Sequence, residues 1–150
     1  MTSVLILLSM AACFAFAAVV LGQEAQTLAA ALSVPATTET LVLTGFAVTL
    51  PSDHAKALVR GWLDITLGTA TTAVTVAIYR GGTISGTVVG TRSPDITAVA
   101  PGGSLRVQVE FIDAVFNIGG AQYTMSVKQT GATGAGNVTA ALLDTTLLSG

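Results

Sequence analysis

The side chains able to do chemistry are few and far apart. His54 is the only histidine, and it stands in the turn Ser52-Asp53-His54-Ala55, so no second imidazole can complete a metal site. Solvation, or a hydrogen bond within that loop, is its expected state. Cys13 is the only cysteine, which excludes an intramolecular disulfide and the paired thiols of zinc or redox sites. It reads as a small buried hydrophobe. A Ser-His-Asp site would have to recruit His54, and no GxSxG elbow is present. The glycine-bearing stretches 83–86 and 131–136 lack the lysine of a phosphate loop and open no predicted helix, so they read as turns.

Carboxylates are the remaining candidates. Asp64 and Glu110 fall mid-strand on polar faces, and if their strands neighbour one another they could form the pair that glycoside hydrolysis uses. A salt bridge to Arg60 or Arg106 is the favoured reading. Asp95, Asp113 and Asp144 fall near strand ends, where calcium could bind, but no DxDxDG spacing supports it. Asn137-Val138-Thr139 fits the glycosylation triplet, a pattern short enough to arise by chance. No catalytic residue, metal ligand or cofactor is expected, and the chain does not read as an enzyme.

The elements that would position these groups follow from composition and periodicity. The 150 residues carry 6 Lys and Arg against 8 Asp and Glu, a net charge of −2 and a charged fraction of 9%. Soluble domains usually carry roughly 25%. Hydrophobic residues make up 51% but aromatics only 5%, so the apolar content is small and β-branched. The length is that of one domain with a core large enough to need no staple. Basic residues are scattered rather than clustered, and nucleic acid is not an expected partner.

No charged side chain precedes Glu24, and residues 4–22 form an apolar run broken only by Ser9. That matches a membrane span of ~20 residues. Helix-favouring residues and the absence of proline before Pro35 predict a helix over 3–32. Apolar all round, it must be buried in lipid, in protein or among subunits. A signal peptide ending near Ala15-Phe16-Ala17 competes, as does a faint lipoprotein box at Met10-Ala11-Ala12-Cys13, but no Lys or Arg precedes the run. The preferred reading divides the chain into an apolar anchor or assembly arm, 1–34, and a β-sandwich, 35–150. Val4, Leu5, Leu7, Leu8, Phe14, Phe16, Val19 and Leu21 are the expected assembly or anchor residues, with possible lipid contact through 4–22.

After Pro35 the period changes to two. Alternation bounded by turn residues predicts strands at 41–50, 58–67, 73–79, 87–89, 96–99, 105–111, 123–128 and 138–147. In the second of these, Arg60, Asp64 and Thr66 share a face with Leu58 and Trp62. About eight or nine short strands without a helical pattern among them predict an all-β fold, an antiparallel sandwich or jelly roll. Its expected core is Val59, Leu63, Ile65, Val74, Val76, Ile78, Leu105, Val107, Val109, Phe111, Tyr123, Met125 and Val127. Full burial of Phe111 would make Phe111→Ala cost ~3–5 kcal/mol. The single Trp62 fits either the core or a subunit contact. The outward faces are rich in Thr and Ala, where free-standing sandwiches place charge, so subunits are expected to cover them.

The stretch from Leu58-Val59-Arg60-Gly61-Trp62-Leu63 through Leu67-Gly68-Thr69 is one of three that carry a resemblance. The others are Thr72-Ala73-Val74-Thr75-Val76-Ala77-Ile78-Tyr79-Arg80-Gly81 and the run from Gln122-Tyr123-Thr124-Met125 to Gly134. Together they resemble small β-sandwich structural proteins of bacteriophage virions, of the capsid decoration or minor capsid kind, over residues 28–146. The resemblance implies a jelly-roll-like subunit, commonly trimeric, that cements or projects from a capsid lattice, with no catalytic residues. The apolar N-terminal segment departs from that family, and a virion with an internal membrane would reconcile the two.

The expected function is therefore a non-enzymatic virion structural protein. Its expected partners are copies of itself, in a trimer or larger assembly, and a major capsid protein or other virion subunit. The runner-up is a subunit of a pilus or surface filament on the cell exterior, with N-terminal helices bundled as a core, although no basic leader or early Glu of the pilin kind is present. A membrane-anchored surface binding module stands third. A chain starting at Ala25 is expected to fold but not to assemble.

Overall fold

Alternation of apolar and polar residues, together with turn glycines, builds a chain of strands. The computed structural model describes residues 20–49, 56–114 and 120–148. They form β1 (Val20–Thr27), β2 (Leu32–Val34), β3 (Thr40–Thr44), β4 (Val48–Thr49), β5 (Lys56–Thr66), β6 (Ala73–Arg80), β7 (Thr87–Arg92), β8 (Ser104–Ala114), β9 (Gly120–Ala121), β10 (Tyr123–Thr130) and β11 (Gly136–Leu148). One sheet has the order β1-β11-β5-β8, with β2 also paired to β11. The other has the order β3-β10-β6-β7, and β4 with β9 makes a two-residue pair. Every pairing is antiparallel. The fold is an all-β sandwich of nine strands in its two main sheets, as the periodicity implies.

The inward face of β5, from Ala57 to Ile65, packs against Val74, Val76 and Ile78 of β6 and Tyr123, Met125 and Val127 of β10. Val107 and Val109 of β8 close the same layer. Two expected core residues depart from the prediction. Leu105 and Phe111 are only partly buried, because β8 is an edge strand and its inward side chains lie at the rim. Phe111 lies against the backbone of β7 at Gly90, where an added Cβ would collide with the ring. The cost of full burial therefore does not apply to Phe111→Ala. Val34, Val42, Leu43, Val138, Leu143 and Leu147 belong to the core as well.

The helix predicted over 3–32 is corrected where the structure describes it. Val20–Thr27 is a strand, β1, aligned on β11 from Val20 opposite Leu148 to Thr27 opposite Leu142. Leu32–Val34 is also a strand on β11. Ladder pairing outweighs the helix preference of the Ala-rich stretch, a weak bias that tertiary context overrides. The strand predicted at 96–99 is likewise absent. Asp95 accepts a hydrogen bond from the Thr97 amide at 2.9 Å, and the Val99 amide donates to the Ile96 carbonyl at 2.9 Å, so the chain turns there.

Polar groups close the core at both ends. At one end Arg80 of β6 and Tyr123 of β10 reach across to Asp113 of β8. At the other, Gln129 is fully buried and accepts from the Gly68 amide at 2.7 Å while donating to the Val34 carbonyl at 3.2 Å. That amide ties β10 to β2 and to the turn after β5. Gly68 is required there, since a Cβ would collide with the Gly134 carbonyl. Gly131, at φ +74, makes the turn between β10 and β11.

Candidate functional site

Of the residues assigned to assembly, Val4, Leu5, Leu7, Leu8, Phe14, Phe16 and Val19 lie outside the described residues, as do Cys13 and His54. Leu21 falls within β1, at a register shift between Val20 and Gly22. Among the described residues no helix is long and apolar enough to cross a membrane. What the structure does place are the two outward sheet faces.

On the five-stranded sheet, Lys56, Leu58, Arg60, Trp62, Asp64 and Thr66 of β5 point outward opposite Ala114, Ile112, Glu110, Gln108, Arg106 and Ser104 of β8. This register decides the carboxylate question. Glu110 stands opposite Arg60 and Asp64 opposite Arg106, so Asp64 and Glu110 are separated along the sheet and form no acid pair. Arg106 donates from Nε and Nη2 to the two carboxylate oxygens of Asp64, each at 2.7 Å. Its guanidinium also lies 4.2 Å from the centroid of the Trp62 ring. The hydrogen bond from Arg106 holds the Asp64 carboxyl below the usual range. From the other side, Arg60 donates to Asp144 of β11 at 2.7 Å, and Gln23 of β1 donates to the same carboxylate at 3.0 Å. Beside Asp144 on β11, the hydroxyl of Thr146 is buried and, among the described residues, finds no partner.

A groove of about 600 Å³ opens beside this row, lined by Arg60, Trp62, Gln108, Glu110, Leu142 and Asp144 and extending past Phe111 to Thr91 and Arg92 of β7. Trp62 is thus half-buried on the outer surface, outside the core. The periodicity placed it correctly beside Arg60 and Asp64, while its stacking partner depended on a strand register that the sequence does not carry.

The four-stranded sheet presents a different face. Leu41 and Thr44 of β3, Thr124 and Ser126 of β10, and Ala77 and Tyr79 of β6 share its outer side, with Val88 of β7 beside Tyr79. Small side chains let Ala77, Thr124 and Ser126 sink to near-complete burial, while Val88 is 52% and Leu41 39% exposed. Phe46, just beyond β3, is 60% exposed. Glu39 is held in place by hydroxyls, accepting from Tyr79 at 2.7 Å and Ser126 at 2.6 Å. The bond to this carboxylate raises the Tyr79 pKa.

The three aspartates weighed as calcium ligands are occupied separately. Asp144 takes Arg60, Asp95 caps the turn at Thr97, and Asp113 takes Arg80 and Tyr123. Among the described residues no group of three or more His, Cys, Asp or Glu is arranged to hold a metal ion. Burial pushes the Asp113 carboxyl up, but the bonds from Arg80 and Tyr123 outweigh it and leave the pKa lowered. Burial, and then the bond to Asp113, pushes the Tyr123 hydroxyl well up. This cluster links the two sheets.

The fold is an antiparallel β-sandwich with two outward sheet faces. Among solved structures, a similar fold occurs in the VP2 subviral particle of infectious bursal disease virus, at TM-score 0.53 and 13% identity over 83% of this chain and 32% of that one. T=1 particles derived from the same virus give 0.52 and 15% over 84% and 32%. The chain spans about a third of the length of these viral proteins, and the likeness is one of fold. A protein of Bacillus endospore appendages, described as disulfide-linked pili, is 22% identical over 86% of this chain and 89% of that one, with a looser TM-score of 0.39. No family model matches the sequence, and no curated protein matches it.

Proposed function

We propose that the chain is a non-enzymatic structural subunit of a virion, of the capsid decoration or minor capsid kind, which works through contacts with copies of itself and with another shell protein. The observation that carries this reading is the outward face of the four-stranded sheet. Thr, Ser, Ala and Tyr make up most of it, with Glu39 held on Tyr79 and Ser126 and Lys128 at one end, and Leu41 and Val88 are exposed on its edge strands and Phe46 just beyond. A lone sandwich protects such a face with charge, and this one is suited to lie against protein. The charged fraction of 9% and the sandwich fold shared with VP2 support the same reading. Residues 1–19, which precede β1 in the sequence, serve as the assembly arm in this reading.

Electron microscopy of the purified full chain tests this beside a chain starting at Val20. That start keeps β1 whole, whereas a start at Ala25 would cut it. Closed oligomers of the full chain, with a truncated chain that melts at the same temperature but stays unassembled, are the expected result. Two chains that both remain monomeric at high concentration overturn the proposal, and open helical filaments replace it with the surface-filament reading.

A further inference from the structure

We infer that the groove beside Trp62 is a binding site for a neutral pyranose oligosaccharide. The inference is independent of the assembly reading and rests on how charge is distributed. In a chain with 9% charged residues, Arg60, Arg92, Glu110 and Asp144 all line one groove, and Asp64 and Arg106 adjoin it. The cores of protein interfaces are depleted in charge, so this lining does not suit a subunit contact.

Its polar groups are also unevenly employed. Arg60 and Asp144 pair with each other, and Arg106 pairs with Asp64. Arg92 and Glu110 belong to none of the three ion pairs among the described residues, although both line the groove with Gln108. A guanidinium, a carboxylate and an amide thus offer planar sets of donors and acceptors to whatever enters. Such sets match pairs of vicinal hydroxyls.

The apolar part is equally specific. A pyranose with equatorial hydroxyls has a polar rim and two C–H faces, and an indole is the flat apolar surface such a face packs on. Trp62 lines the groove, and Leu142 and Phe111 extend its apolar wall. Arg106, fixed by both oxygens of Asp64, lies over the ring without lining the groove. The indole is therefore held in one orientation before a ligand arrives, which lowers the entropic cost of binding. A groove of about 600 Å³ falls in the usual size range of small-ligand sites.

Trp62 is the only tryptophan, so indole emission excited at wavelengths that tyrosine does not absorb reports on this site alone. Titration with cellotriose, maltotriose and triacetylchitotriose should give a saturable emission change with at least one of them. Glu110→Gln and Gln108→Ala, each melting like the parent, should weaken that binding by about tenfold, the loss expected for one hydrogen bond to a charged or polar partner. No saturable change with any of the three up to about 10 mM, a limit beyond the millimolar range of weak specific affinities, overturns the inference. So does an emission change that follows protein concentration without sugar, which would make this face a contact between copies.

Discussion

The two outward faces of the sandwich answer the same problem differently. The five-stranded sheet carries Arg60–Asp144 and Asp64–Arg106 as ion pairs around a clamped indole and exposes Ile112 near one end, whereas the four-stranded sheet buries Ala77, Thr124 and Ser126 and exposes Leu41 and Val88. Both are antiparallel sheets that turn apolar inner faces toward one core. That contrast lies in the alternate residues that the core does not use. The first face concentrates its charge around Trp62, while the second carries Glu39 and Lys128 among hydroxyls and methyls.

Four changes would break or sharpen this contrast. The largest effect is expected at the cluster that holds the two sheets together. Asp113→Ala strands Arg80 and the buried Tyr123 hydroxyl, and should cost about 3–5 kcal/mol in denaturant unfolding. The same carboxylate sets an acid limit. Its folded pKa is lowered, so the stability it contributes is present above the pKa of an unfolded aspartate, about 3.9, and is lost as pH falls through the lower folded value. Unfolding monitored by circular dichroism should show this loss below about pH 4 in the parent and not in Asp113→Ala.

A smaller effect is expected on assembly. Val88→Lys combined with Leu41→Lys should raise the concentration needed for self-association by at least about tenfold, near 1.4 kcal/mol, with an unchanged melting temperature. Thr66→Lys on the charged face should leave assembly alone, and light scattering distinguishes the two. The smallest effect belongs to Asp64→Asn. Its pair with Arg106 is largely solvent-exposed, so thermal melting should not change measurably. The released guanidinium should nevertheless shift the emission of Trp62, and an unshifted spectrum would show that Asp64 does not orient the stack.

Periodicity made most of the sandwich legible before any coordinates. The strands later seen as β5, β6, β8 and β10 alternate in sequence, and Val59, Leu63, Ile65, Val74, Val76 and Ile78 are all fully buried as expected. β1 was hidden, since Val20–Thr27 adjoins the long apolar run and its partner β11 lies more than a hundred residues away. The turn at 96–99 was misread as strand because its Ile and Val suggested one, while the Asp95 side chain decided otherwise. The groove was half legible. Alternation put Arg60, Trp62 and Asp64 on one face, but only the pairing of β5 with β8 set Arg106 beside Asp64 and left Glu110 apart from it. Sequence patterns of period two specify which face a residue takes, and they carry no information about which strand lies next door.

β11 is the last of the described strands, yet it sits inside its sheet, paired with β1, β2 and β5. A ribosome releases it after every other described strand, and until then β1 and β5 have no partner between them. Each round of synthesis thus leaves apolar strand edges waiting for a distant segment, the circumstance in which contacts far apart in sequence slow folding and neighbouring chains can pair in error. The tempo at which this protein matures should be set by the arrival of residues 136–148 rather than by the local strength of its hairpins.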